Sequence, residues 1–157
     1  MALGTSGSDA TSWLLCRAGA RLCAVPLEHV IEIMRVLPIE VVAGAPRFVR
    51  GMAVIRGSPV PVVDIGLLFG QEASASTRLV TVAIGERRVA LSVEGVLGVR
   101  SMAAASLGAM PPLLRDAAGD AISAINTLDS ELLLFLRAAR IASEDLLAQL
   151  NAETAEA

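Results

Sequence analysis

The sequence has no lysine, no tyrosine, one histidine and two cysteines, and aromatic residues make up only 3% of its 157 positions. Each scarcity excludes something. Nucleophilic catalysis by serine or cysteine would have to use His29 as its base, and no nucleophile sits in a Gly-x-Ser-x-Gly elbow. Neither a phosphate-binding loop nor a Gly-x-Gly-x-x-Gly turn occurs. Two cysteines in a chain of this length do not make a disulfide scaffold. Basic residues, all arginine, form no stripe with interleaved aromatics, which argues against nucleic acid as a partner. No apolar run approaches the ~20 residues of a membrane span, so no direct membrane insertion is expected. The start, Met1-Ala2-Leu3-Gly4-Thr5-Ser6, lacks a basic region and an apolar stretch, so a cytoplasmic location is expected.

What is present is aliphatic. Hydrophobic residues make up 54% of the chain and charged residues 18%, with a net charge of −3. Such a chain suits one domain or two small subdomains, burying roughly 70% of its unfolded surface. The acidic excess is local, because residues 143–157 hold Glu144, Asp145, Glu153 and Glu156 without a base. The body before them is nearly neutral.

Residues 1–12, rich in Ser, Gly and Thr, read as a disordered leader, and 151–157 as a flexible acidic tail. Between them, short Val/Leu/Ile runs are punctuated by Gly, Pro and Asp. They predict strands at Trp13–Arg17, Arg21–Val25, Val30–Val36, Gly51–Ile55, Pro59–Val63, Arg78–Ile84, Arg88–Val93, Val96–Arg100, Ala121–Leu128 and Leu132–Arg137. Many short strands with close turns indicate barrels or a sandwich. Pro59 and Pro61 alternate within one strand, which is therefore at an edge or turns those positions away from the ladder. A short helix is expected after an Asp64 cap, ending at Gly70, and a C-terminal helix over 143–150 after a Ser143 cap. Cys16 and Cys23 flank a turn and face each other if the loop is Gly19-Ala20; as a cytosolic pair they are expected to be reduced, small buried hydrophobes.

An internal repeat underlies this pattern. Residues 24–33 overlay residues 90–99 at an offset of 66, matching Ala24 with Ala90, Glu28 with Glu94 and Val30 with Val96. Residues 55–63 overlay 128–136 at an offset of 73. Two segments in the same order, at offsets differing by a loop's length, point to duplication and to two pseudo-equivalent β-barrels packed together.

Chemistry-bearing constellations are few. His29 has only Glu28 and Glu32 nearby as further ligands, too few for a metal site, and reads as a solvent-facing turn residue. No catalytic residue, cofactor or metal is expected. What remains is the segment Phe48-Val49-Arg50-Gly51-Met52-Ala53-Val54-Ile55-Arg56-Gly57-Ser58-Pro59-Val60-Pro61-Val62-Val63-Asp64. It reads as a hairpin with Arg56-Gly57 at its tip, projecting a rigid five-donor fork. On spacing alone, Arg56 is either a solvated turn residue or a recognition group.

Together with Val25-Pro26-Leu27-Glu28-His29-Val30-Ile31-Glu32-Ile33, this segment resembles the CheW-like chemotaxis coupling proteins. Their pattern is Pro-x-x-x-Val-x-Glu-Ile, then Gly-x-x-x-x-Arg-Gly-x-x-x-Pro-Val-Val-Asp-Leu. The segments Arg88–Val96 and Leu132–Leu136 fit the family's second half, and the likeness spans about residues 13–150. It departs at Val54, where the family often has Asn, and around Asp129-Ser130-Glu131, where Gly and an acidic residue are usual. The resemblance implies two SH3-like five-stranded β-barrels around a shared hydrophobic core, with short helices and a C-terminal helix. It also implies a non-catalytic adaptor between chemoreceptor cytoplasmic tips and the regulatory domain of a CheA-type histidine kinase. Glu32, Gly51 and Arg56 are the binding positions it carries over, with Val30 the neighbouring apolar position. The alternatives are a coupling protein of a twitching-motility or other non-flagellar chemosensory pathway, or an SH3-like peptide-binding module. The shortage of aromatics argues against the latter taking proline-rich ligands.

Overall fold

A computed structural model describes residues 10–70, 72, 75–103, 122–128 and 131–136. Ten strands follow in chain order: β1 (Ala10–Ala18), β2 (Arg21–Pro26), β3 (Val30–Arg35), β4 (Val49–Ile55), β5 (Ser58–Asp64), β6 (Arg78–Ile84), β7 (Arg87–Val93), β8 (Gly95–Ala103), β9 (Ile122–Leu128) and β10 (Glu131–Leu136). A single 3-10 turn, Leu27–His29, joins β2 to β3, and the short helix α1 (Ile65–Leu68) follows β5. Asp64 caps α1 as the sequence suggests, its Oδ1 accepting from the Leu67 N–H at 3.0 Å.

The strands form two five-stranded sheets, ordered β8-β1-β2-β10-β9 and β3-β6-β7-β5-β4. Moving the first sheet's β1 and β2 on by five elements, and its β8, β9 and β10 back by five, reproduces the second sheet's order. Register obeys the same rule. Ala24 pairs with Phe135 and Ala90 with Val62, so the partners keep the spacings of 66 and 73 seen in the sequence overlays. Each sheet therefore takes three strands from one half of the chain and two from the other. The duplication expected from the sequence is present in the hydrogen-bonding ladders.

Side chains alternate accordingly. On β1 and β2, Leu14, Cys16, Ala18, Cys23 and Val25 face a central cluster; on β6 and β7, Val80, Val82, Val89, Leu91 and Val93 join it. Their neighbours turn the other way. Trp13, Leu15, Leu22 and Ala24 fill one sheet, while Ala53, Ile55, Val60, Val62, Leu79 and Ala90 fill the other. Period-two alternation thus divides the aliphatic content between two local fillings and one shared seam. A fully buried seam residue such as Leu91 contributes ~1.5–3 kcal/mol of apolar burial.

Three expectations need correction or refinement. Ala10, Thr11 and Ser12 are part of β1 rather than of a disordered leader, because β8 runs on to Ala103 and supplies their ladder partners. In place of the two expected five-stranded β-barrels, the described residues form two five-stranded sheets in which no ladder joins β8 to β9 or β3 to β4. In the second sheet the segment after β3 intervenes. Val36, Leu37 and Ile39 pack on the local core, and Glu40 bridges to Met52 on β4. Finally, β5 is an interior strand, yet it tolerates Pro59 and Pro61 because β7 pairs only with Val62–Asp64. The two prolines thus turn their nitrogens away from β4 towards a stretch without ladder partners. The expected helix over 143–150 and the tail lie outside the described residues.

Candidate functional site

Edge strand β3 carries a β-bulge. Val30 pairs with Val82 and Glu32 with Thr81, leaving Ile31 as the extra residue. The Thr81 hydroxyl fills the gap, accepting from the Glu32 N–H at 3.2 Å and donating to the Glu32 carbonyl at 3.2 Å. From this anchored position the Glu32 carboxylate meets the tip of the β4–β5 hairpin. Arg56 Nε donates to Glu32 Oε1 at 2.9 Å and Arg56 Nη2 to Oε2 at 2.6 Å. This fork-on-carboxylate pairing fixes the orientation of both groups.

The hairpin tip is a two-residue loop, with Ile55 paired to Ser58. Arg56 has φ 50° and Gly57 φ 81°, the signature of a type I′ turn, whose twist matches that of the flanking strands. Among the described residues Arg56 is the only non-glycine with positive φ. Its side chain is 71% exposed while that of Glu32 is 25% exposed. Pairs so open to water contribute little to folding, so the clasp orients rather than stabilises. The Arg56 hydrogen bonds hold the Glu32 carboxyl below its ordinary pKa against an opposing desolvation effect, and the charges of Arg56 and Arg88 act in the same direction. Glu32 in turn raises the already high pKa of the guanidinium. Exposed aliphatic side chains accompany the clasp: Ile31 and Ile33 on either side of Glu32, and Val54 two residues before Arg56.

Of the four positions singled out in the sequence, Glu32 and Arg56 bond to each other, and Val30 and Gly51 take no part in those bonds. Val30 is half-buried and packs against the shared seam. Gly51 is buried with φ +144°, and a Cβ there would lie 1.9 Å from the Glu40 carbonyl oxygen. It is the seat for the Glu40–Met52 bridge, in which each residue's N–H donates to the other's carbonyl at 2.8 Å. Thr81, Ile31 and Ile33 escaped the sequence reading. Thr81 had one signal: it is the polar residue in an aliphatic strand, where the overlay would place Leu15.

Asp64 is buried, and Arg50 Nη1 lies 4.0 Å from its Oδ2 while donating to Ser76 Oγ at 3.1 Å. Cys16 and Cys23 pair directly across β1 and β2 around the Gly19-Ala20 loop, both free thiols in the seam. A hydrogen bond with Cys16, together with burial, pushes the Cys23 thiol well above its ordinary pKa. His29 Nε2 is 3.5 Å from Glu28 Oε1, and no group of three metal-binding side chains occurs among the described residues. No helix among the described residues is long and apolar enough to cross a membrane.

The sequence pattern of the CheW-like domain matches residues 12–146. The chain belongs to the CheW-like domain family. It is similar to the chemotaxis protein CheW of Klebsiella aerogenes, 25% identical over 130 residues that cover 77% of this chain and 78% of the relative. Its fold is that of the crystal structure of the scaffolding protein TtCheW from Thermoanaerobacter tengcongensis. That similarity has a TM-score of 0.69 and 19% identity, covering 81% of this chain and 88% of the other. The two-sheet architecture is therefore that of a CheW-like domain.

Proposed function

We propose that this chain is a non-catalytic cytoplasmic scaffold that couples chemoreceptor cytoplasmic tips to the regulatory domain of a CheA-type histidine kinase in chemotaxis signalling. Membership of the CheW-like family supports this reading, and the Glu32–Arg56 clasp is the observation that carries it to particular residues. The clasp marks a docking surface on the β3-β6-β7-β5-β4 sheet. A recognition surface needs an apolar centre with a few oriented charges, and here Ile31, Ile33 and Val54 supply the first and the clasp the second. A receptor or kinase carboxylate or carbonyl would take the donors of Arg56 that Glu32 leaves open, and Glu32 would orient a basic group. Gly51 and Val30 act from beneath, Gly51 by admitting the Glu40–Met52 bridge and Val30 by seating β3 on the core.

Arg56→Ala tests the assignment. The variant is expected to keep the wild-type far-UV spectrum and melting temperature. It should bind a receptor-tip fragment, the kinase regulatory domain or both roughly 5- to 150-fold more weakly in a titration. Unchanged affinity for both partners in a folded variant would remove Arg56 from the docking surface.

A further inference from the structure

The two sheets carry the same β-bulge at equivalent positions but accommodate it differently. In the second sheet Ile31 is the extra residue, between the pairs Val30–Val82 and Glu32–Thr81. In the first sheet Leu97 is the extra residue, between Val96–Cys16 and Gly98–Leu15. Every member of one set is 66 positions from its counterpart. A bulge disrupts the ladder, so the backbone groups beside it need other partners or an unusual conformation.

Gly98 adopts the unusual conformation. Its φ is +133°, a region that residues with a side chain rarely enter, and the space where a Cβ would lie is open. Glu32 has no such freedom and keeps a negative φ. Instead, one hydroxyl serves both of its backbone groups, which a threonine can do because Oγ1 donates once and accepts twice. Thr81 is buried on β6, between β3 and β7, so this hydroxyl does not compete with water for its partners. Leu15, its counterpart, has no polar atom to offer. The bulge with a hydroxyl partner is thus the one that presents a functional side chain.

We infer that Thr81 is a positioning residue of the docking site: its hydroxyl locks the β3 bulge so that the Glu32 carboxylate stands in line with the guanidinium of Arg56. A carboxylate takes two parallel N–H bonds only in a narrow range of orientations. A bulge free to relax would swing the Glu32 Cα and loosen both bonds. Arg56, on an exposed turn, would then revert to a mobile solvated side chain and lose its preorganisation for a partner. The inference rests on the docking role proposed for the clasp, and the experiment separates the two.

Thr81→Val removes the hydroxyl at nearly constant shape, and Thr81→Ser retains it. The Glu32 carboxyl titration is followed by carbon NMR in the full chain, alongside affinity for a receptor-tip fragment and for the kinase regulatory domain. In the parent protein the clasp is complete above the ordinary carboxylate range and opens as pH falls through the lowered midpoint of Glu32. In Thr81→Val this midpoint should rise towards the ordinary value and affinity should fall roughly three- to tenfold, the worth of about one hydrogen bond. Thr81→Ser should restore both. A Glu32 midpoint unchanged in folded Thr81→Val overturns the inference. A raised midpoint with unaltered affinity for both partners supports the positioning role and overturns the docking role of the clasp. If Thr81→Val does not fold, hydrogen exchange in the parent chain decides: a protected Glu32 amide supports the inference and a rapidly exchanging one overturns it.

Discussion

Arg56 holds a left-handed conformation that ordinary L-residues avoid, at an exposed turn where Asn or Gly would sit without strain. Strain tolerated at an exposed position is more informative than strain in a core, because no packing demands it. Arg56→Asn would create the Asn-Gly dipeptide that type I′ hairpins favour. It should therefore melt at or above the parent temperature while losing the bidentate clasp and weakening partner binding, as calorimetry and a binding titration would show. A lower melting temperature would mean that the clasp contributes to folding. At this scale the sequence was half legible. The Arg-Gly tip was visible because turn chemistry is local. Its partnership with Glu32, 24 residues away, and that of Glu32 with Thr81, 49 residues further on, depend on how the sheet brings β3, β6 and the hairpin together.

The same contrast governs the elements. Strand positions were legible because alternating aliphatics and turn residues act within a few residues. Gly51 was not, because its conformation answers a distant segment: Glu40 bonds to Met52 across the outer rim of β4, at a distance only glycine permits. The strap from Val36 to Ile39 covers the core beneath. Gly51→Ala should destabilise the protein by at least about 2 kcal/mol, combining a forced positive φ with a collision against backbone that cannot move cheaply. Urea denaturation of the variant measures this directly. Any loss of partner binding should accompany loss of the Glu40–Met52 bridge, seen as faster exchange of those two amides. A stable variant with reduced binding would instead place Gly51 on the docking surface itself. The early start of β1 has a similar origin, since Ala10–Ser12 have little strand character of their own and are held by β8.

The whole molecule is a duplicated unit whose halves exchange strands. This was legible from two sequence offsets, 66 and 73, that recur in the strand pairings. The lack of a ladder between β3 and β4 was not, because it depends on the segment between them, where Glu40 takes the place beside Met52. The symmetry also shows where the two edges differ. Ile31 and Ile33 on one sheet edge correspond to Leu97 and Val99 on the other, all exposed aliphatics. The clasp residues, by contrast, lie where the halves differ: Glu32 corresponds to Gly98, and Arg56 aligns with Asp129 in the sequence. Two similar edges, one bearing an oriented ion pair, would let the proposed scaffold hold two partners at once without confusing them. Modest contacts at each surface would be amplified when receptors and kinases are themselves arrayed.

Sedimentation distinguishes a coupling scaffold from a bystander. Receptor-bearing membranes are mixed with the histidine kinase in the presence or absence of this chain. The kinase should pellet with the receptors only when the chain is present, and the Arg56→Ala chain should fail to bring it down. Kinase recovery in the pellet that is the same with and without the chain would rule out coupling by this protein.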